Sequence, residues 1–140
     1  MTLEPKATLG HYRIVEKIGE GGMGIVYRAV DGKLEREVAL KILRAEMASD
    51  PERMKRFERE ARALAALTHP NIGAIYQIDE VDGHAFIVME LVEGITLRER
   101  IAGRPMPIDA MLDASMQIAD ALDAAHSKGI IHRDIKPTNI

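Results

Sequence analysis

The chain has 140 residues and a net charge of −3, with 46% hydrophobic and 29% charged residues, a profile of one globular domain able to bury a core. The mildly acidic balance excludes the strongly basic footprint of a general nucleic-acid binder, and the absence of cysteine excludes disulfides and thiolate metal sites. No apolar run approaches the roughly 20 residues of a membrane span, and Met1 to Gly10 lack a charged start followed by an apolar run, so a cytoplasmic chain without a secretory signal is expected.

The first half reads as strands. Tyr12, Ile14 and Ile18 begin a period-2 pattern in which Val15 is out of phase. Ile25 to Val30 is a second β-branched and aromatic run, closed by the turn signal Asp31-Gly32. Val38, Leu40 and Ile42 alternate with Ala39, Lys41 and Leu43, which a strand places on opposite faces. Asp50 and Pro51 then suit the cap and first position of a helix whose stripe is Met54, Phe57, Ala61, Leu64 and Ala65. His69-Pro70-Asn71 ends it. Strands are expected over Ile72 to Val81 and Ala85 to Met89, joined by Asp82-Gly83.

Beyond Glu93-Gly94, a natural hinge, the pattern turns helical. Thr96-Leu97-Arg98-Glu99 is a capping-box sequence for a short helix. Pro107 opens a long one with the stripe Ile108, Met111, Leu112, Ser115, Ile118, Ala119, Leu122 and Ala125, and Gly129 is placed to stop it. Three regions follow: an extension over 1–11, a strand-rich unit over 12–93, and a hinge with helices over 94–140.

Three segments carry candidate chemistry. Gly19-Glu20-Gly21-Gly22-Met23-Gly24 matches G-x-G-x-x-G, but the residues after it are β-rich and run into a turn. A dinucleotide site needs a helix there, so the glycines belong to a hairpin, either a plain one or one whose backbone N–H groups can face phosphate. Lys41 lies inside an apolar strand, as a snorkelling side chain or as a cation for those phosphates. A carboxylate to hold it could come from Glu60 or Glu58, which border opposite sides of the helix stripe, and helical geometry does not choose between them. The third segment is His132-Arg133-Asp134-Ile135-Lys136-Pro137-Thr138-Asn139. His11, His69, His84 and His126 show no metal-ligand spacing.

These motifs together resemble the protein kinase family: H-R-D-x-K-x-x-N, G-x-G-x-x-G-x-V over Gly19 to Val26, and Val38-Ala39-Leu40-Lys41, in the family's order. The phrasing of Gly19 to Tyr27 and Gly129 to Asn139 is most similar to bacterial receptor-like serine/threonine kinases. The resemblance implies an α+β fold: a five-stranded antiparallel ATP-binding lobe with one helix, then the first helices of a helical lobe. It implies ATP and Mg2+ as cofactors and a protein substrate. Gly19, Glu20, Gly21, Gly22, Met23 and Gly24 would cover the ATP phosphates, and Ile18, Val26 and Ala39 would pack on the adenine. Lys41 would pair with the α/β-phosphates and with Glu60. Met89 resembles the gatekeeper, and backbone groups of Glu90 and Val92 would meet the adenine edge. Asp134 would orient the substrate hydroxyl and accept its proton, Lys136 marks the serine/threonine type, and Asn139 would bind Mg2+.

The chain stops at Ile140, before the family's Asp-Phe-Gly segment, so a fragment with little transfer activity by itself is expected. The apolar stripe after Pro107 would then lie open and favour self-association. A non-catalytic nucleotide-binding or regulatory module is the alternative, although Lys41 and Asp134 are both intact.

Overall fold

The computed structural model describes residues 3–140. Contacts divide it into two compact units, one formed by residues up to Ala66 with Gly73–Leu91, the other by Leu67–Ile72 with Val92–Ile140.

The first unit is an antiparallel sheet. Its strands are β1 (Thr8–Leu9), β2 (Tyr12–Glu20), β3 (Gly24–Asp31), β4 (Arg36–Leu43), β5 (Ile75–Val81) and β6 (His84–Met89), in the order β1-β2-β3-β4-β6-β5. The sheet has six strands, not the expected five. The extra one lies in the segment read as an extension: the chain turns back at Gly10, with φ +58°, and pairs Leu9 with Tyr12. Two residues are too few to show alternation. Two helices, not one, accompany the sheet: α1 (Ala45–Ala48), a single turn too short for a stripe, and α2 (Pro51–Ala65).

Alternation along the strands builds a core on each face. Tyr12, Ile14, Tyr27, Ala29, Val38, Leu40, Ile42, Phe86 and Val88 bury one face, joined by Leu9. Leu43, Ala85 and Ile87 bury the other against Phe57 of α2. β4 is therefore apolar on both sides, which is why Val38 to Leu43 reads as a continuous run broken only by Lys41. Val15 is out of phase because the β2–β3 register shifts between Ile14 and Glu16; a β-bulge there absorbs it. A second shift, between Lys17 and Gly19, falls on Ile18.

Local signals behave as their chemistry dictates. The Asp50 carboxylate accepts the N–H groups of Glu52 and Arg53 at 3.1 and 3.2 Å, with Pro51 opening α2. Asp82 and Gly83 take positive φ values of 52° and 75°, forming the tight turn between β5 and β6. β5 begins at Ile75, not Ile72, because His69 holds the preceding residues in a turn. Its Nδ1 accepts the Asn71 N–H at 3.1 Å and its carbonyl the Ile72 N–H at 3.1 Å.

Asp31 is the one buried charged residue of the described core. Burial opposes its ionisation, but the N–H groups of Leu34 and Lys33, at 3.0 and 2.8 Å, together with His11 and Arg36, hold its carboxyl below the ordinary aspartate range. A carboxyl lowered in the folded chain stabilises it above the unfolded value, and that contribution disappears as pH falls through the folded one. Acid unfolding is expected to steepen below about pH 4. Asp31→Asn keeps an acceptor oxygen but no charge, so its denaturant midpoints between about pH 3 and 7 should fall less with acid.

The second unit contains α3 (Leu97–Ile101), α4 (Ile108–His126) and a 3-10 turn, Pro137–Asn139. Thr96 and Glu99 form the reciprocal capping box on α3. Pro107 is the N-cap of α4, one place earlier than a first helical position. Gly129, with φ +72°, closes the far end: its N–H reaches the His126 carbonyl and the Ile130 N–H the Ala125 carbonyl, at 2.9 and 3.0 Å. Much of the α4 stripe is open, including Ile108, Met111 and Leu112, as is Met116 outside it, whereas Ala125 is buried. Asp120 on α4 meets His69 Nε2 at 3.0 Å, tying Leu67–Ile72 to the helix. Among the described residues no helix is long and apolar enough to cross a membrane.

Candidate active site

The first group of expected site residues sits on the first unit's sheet. The β2–β3 hairpin carries the glycines at its tip, closed by the Gly21 N–H donating to the Gly24 carbonyl at 2.9 Å. The glycines differ in what they do. A Cβ on Gly24 would lie 2.1 Å from the Ile42 carbonyl oxygen, so β3 and β4 meet there backbone to backbone. A Cβ on Gly21 or Gly22 would meet nothing within 4 Å. The Gly21 N–H is engaged within the hairpin, and the open surroundings of both glycines suit the close approach of an anion to the tip.

Strand register settles which side chains share a face. Val26 lies opposite Lys41 and Lys41 opposite Ile87; Ala39 lies opposite Met89. Directly opposed residues project to the same side, so Val26, Ala39, Lys41 and Met89 line one face, away from the Tyr12–Phe86 core. Ala39 is buried, Val26, Lys41 and Met89 are half-buried, and Ile18 is exposed. This face also receives α2 at the Leu43–Ile87 end. On α2, Glu60 is exposed beside the buried Ala61, while Glu58 is half-buried and pairs with Arg62 at 3.8 Å. At the end of β6, the Glu90 N–H is committed to the Ala74 carbonyl at 2.8 Å. The backbone group Glu90 can offer an adenine is therefore its carbonyl.

Arg44 belongs to no motif in the sequence. It follows β4 directly, and its guanidinium donates to the Glu20 carboxylate at 3.0 Å and the Gly21 carbonyl at 3.3 Å. Glu20 also pairs with Lys17. The hydrogen bond from Lys17, ahead of the Arg44 charge, holds the Glu20 carboxyl below the ordinary glutamate range.

The second group belongs to the second unit. The loop from His132 is shaped by short-range hydrogen bonds: the Asp134 N–H donates to His132 Nδ1 at 3.1 Å, and the Asn139 N–H to the Lys136 carbonyl at 2.9 Å. Arg133 between them takes a left-handed φ of 65°. Lys136 Nζ lies 3.2 Å from Asp134 Oδ2, and Asn139 Nδ2 donates to the Asp134 carbonyl at 2.9 Å. The exposed Asp134 carboxyl is held below its ordinary value by Lys136 first, with help from Asn139 and His132. It is thus ionised at neutral pH, suited to accepting a hydrogen bond from a hydroxyl and poorly suited to removing a proton early. With Nδ2 engaged, Asn139 Oδ1 is the atom left for a hard cation, which prefers oxygen. Among the described residues no three His, Cys, Asp or Glu are grouped to hold a metal.

Comparison with known proteins identifies the family. A family model described as protein kinase domain matches residues 12–140. Serine/threonine-protein kinase PrkC of Bacillus subtilis is 49% identical over 136 residues, covering 96% of this chain and 21% of that protein. Serine/threonine-protein kinase PknB of Mycobacterium leprae is 43% identical, covering 100% of this chain and 23% of that protein. The PknI kinase domain of Mycobacterium tuberculosis superposes with a TM-score of 0.84 at 35% identity, covering 99% of this chain and 57% of that one. The chain thus spans about a fifth of the length of these two curated relatives.

Proposed function

Because the chain belongs to the protein kinase domain family, we propose that it supplies the ATP-binding part and the phosphoryl-transfer loop of a protein serine/threonine kinase. The observation that carries the reading is the shared sheet face of Val26, Ala39, Lys41 and Met89 beside a hairpin tip of bare glycines. An apolar patch next to one strand-borne ammonium suits a flat aromatic base joined to phosphates.

In this reading Ile18, Val26, Ala39 and Met89 contact the adenine, with the Glu90 carbonyl and the Val92 backbone on its edge. Lys41, oriented by Glu60, neutralises the α/β-phosphates under Gly19 to Gly24. Mg2+, when bound, supplies further positive charge to the phosphates. Asn139 Oδ1 would be its protein ligand in this chain. Asp134 orients the acceptor hydroxyl of a protein serine or threonine, and Lys136 holds the Asp134 carboxylate. Phosphoryl transfer asks little more of a protein than positioned charge and an aligned nucleophile.

Calorimetric titration tests the reading directly. MgATP should bind the 140-residue chain saturably and adenosine should compete with it, while NADH should not. No heat from MgATP at about 1 mM, the weak end of specific affinity, or a preference for NADH would sink it.

A further inference from the structure

One cation near the glycine hairpin has no part in the scheme above. Arg44 stands three places beyond Lys41, where β4 ends. It reaches the hairpin through three groups: Nη2 to Glu20 Oε1 at 3.0 Å, Nε to the Gly21 carbonyl at 3.3 Å, and its backbone N–H to the Met23 carbonyl at 3.1 Å. Its own carbonyl meanwhile accepts the N–H groups of Met47 and Ala48, at 2.9 and 3.1 Å, which open α1. A single residue therefore joins the hairpin tip, the end of the lysine strand and the first helical turn. Apart from the Gly21 N–H bond to the Gly24 carbonyl, the tip is built of Gly21 and Gly22, which carry no side chains and have open surroundings. Glu20 is gripped from its other side by Lys17, so the one carboxylate in the loop is neutralised where it would otherwise repel a polyanion.

We propose that Arg44 is a positioning residue for the nucleotide: through Glu20, Gly21 and Met23 it fixes the glycine hairpin relative to Lys41, so that the loop's N–H groups are pre-set for phosphate. The inference rests on the ATP reading and deepens it. Ordering a flexible glycine loop on binding costs entropy, and a tether already in place in the free protein removes part of that cost. The competing role for the same guanidinium is direct contact with a phosphate, and the two roles give Glu20 opposite signs. If Arg44 acts through Glu20, neutralising Glu20 loosens the loop. If Arg44 is a phosphate ligand restrained by Glu20, neutralising Glu20 releases it.

The experiment titrates MgATP and adenosine separately into the unaltered chain, Arg44→Ala, Glu20→Gln and the double variant. Positioning predicts about a three- to tenfold rise in the MgATP Kd for each single variant, from the loss of a charge-assisted contact. Adenosine, which has no phosphates, should bind all four chains alike. The double variant should be no weaker than the worse single one, because both break the Arg44–Glu20 pair, while the Arg44 backbone N–H to the Met23 carbonyl is kept in all four chains. Parallel weakening of MgATP and adenosine would mark Arg44 as merely structural and overturn the inference. Tighter MgATP binding by Glu20→Gln would overturn it in favour of a phosphate ligand. Unchanged MgATP affinity in Arg44→Ala, with the unaltered chain binding normally, would also overturn it while leaving the ATP reading intact. Failure of the unaltered chain to bind MgATP removes the reading and this inference together.

Discussion

Gly24→Ala is expected to destabilise the chain by about 3 kcal/mol or more, a large share of the roughly 5–15 kcal/mol that holds a domain folded. The added methyl would sit 2.1 Å from the Ile42 carbonyl oxygen, 2.9 Å from its carbon and 3.2 Å from the Leu43 Cα. All three are backbone atoms of β4, so no side-chain rotation relieves the overlap, and Gly24 pairs with Leu43 in the ladder itself. Relief requires β3 and β4 to separate, which disturbs Tyr27, Leu40 and Ile42 of the core. Gly21→Ala and Gly22→Ala provide the contrast. Each methyl would point into open space and neither residue has a positive φ, so both variants should unfold within about 0.5 kcal/mol of the unaltered chain. Chemical denaturation of the three variants decides the matter. A Gly24→Ala chain as stable as the other two would show that the strands can part at little cost.

That contrast shows what a sequence pattern carries and what it omits. G-x-G-x-x-G announces a backbone loop, yet nothing local says that Gly24 is required by β4 and Gly21 by nothing inside the protein. The difference depends on a strand more than a dozen residues away. Val15 is similar. Its broken phase is visible in the sequence, but whether it means the end of a strand or a bulge depends on how β3 pairs with it. Signals whose partners lie within one turn were legible: the Asp50 cap, the Thr96–Glu99 box, the Asp82-Gly83 turn and the Gly129 stop. Elements that span only about one period of their pattern, Thr8–Leu9 and Ala45–Ala48, left no repeat to read. Arg44 escaped because a lone arginine after a strand carries no periodicity and no motif; only the folded hairpin brings Glu20 and Gly21 to it. Along β4, by contrast, period-2 alternation alone put Lys41 on the side of Ala39, and the ladder adds Val26 to that side.

Lys41→Met should lower MgATP affinity about thirtyfold while leaving adenosine affinity unchanged. The substitution keeps a long unbranched stem on the half-buried face beside Val26 and Ile87 and removes only the ammonium. Two unit charges about 4 Å apart near a protein surface attract by about 4 kcal/mol at an effective dielectric of 20. Desolvating the ammonium and immobilising its stem offset part of this, leaving about 2 kcal/mol, which is the thirtyfold. Adenosine has no phosphates for the ammonium to meet, so its affinity reports only on the apolar patch of Val26, Ala39 and Met89. Titration of both ligands into both chains, with circular dichroism to show that the Lys41→Met chain is folded, separates the charge from the pocket. An equal loss for both ligands would mean that Lys41 supports the sheet face and not the phosphates. No loss for either would move the triphosphate away from β4 altogether, and the assignments of Gly19 to Gly24 and of Glu60 would go with it.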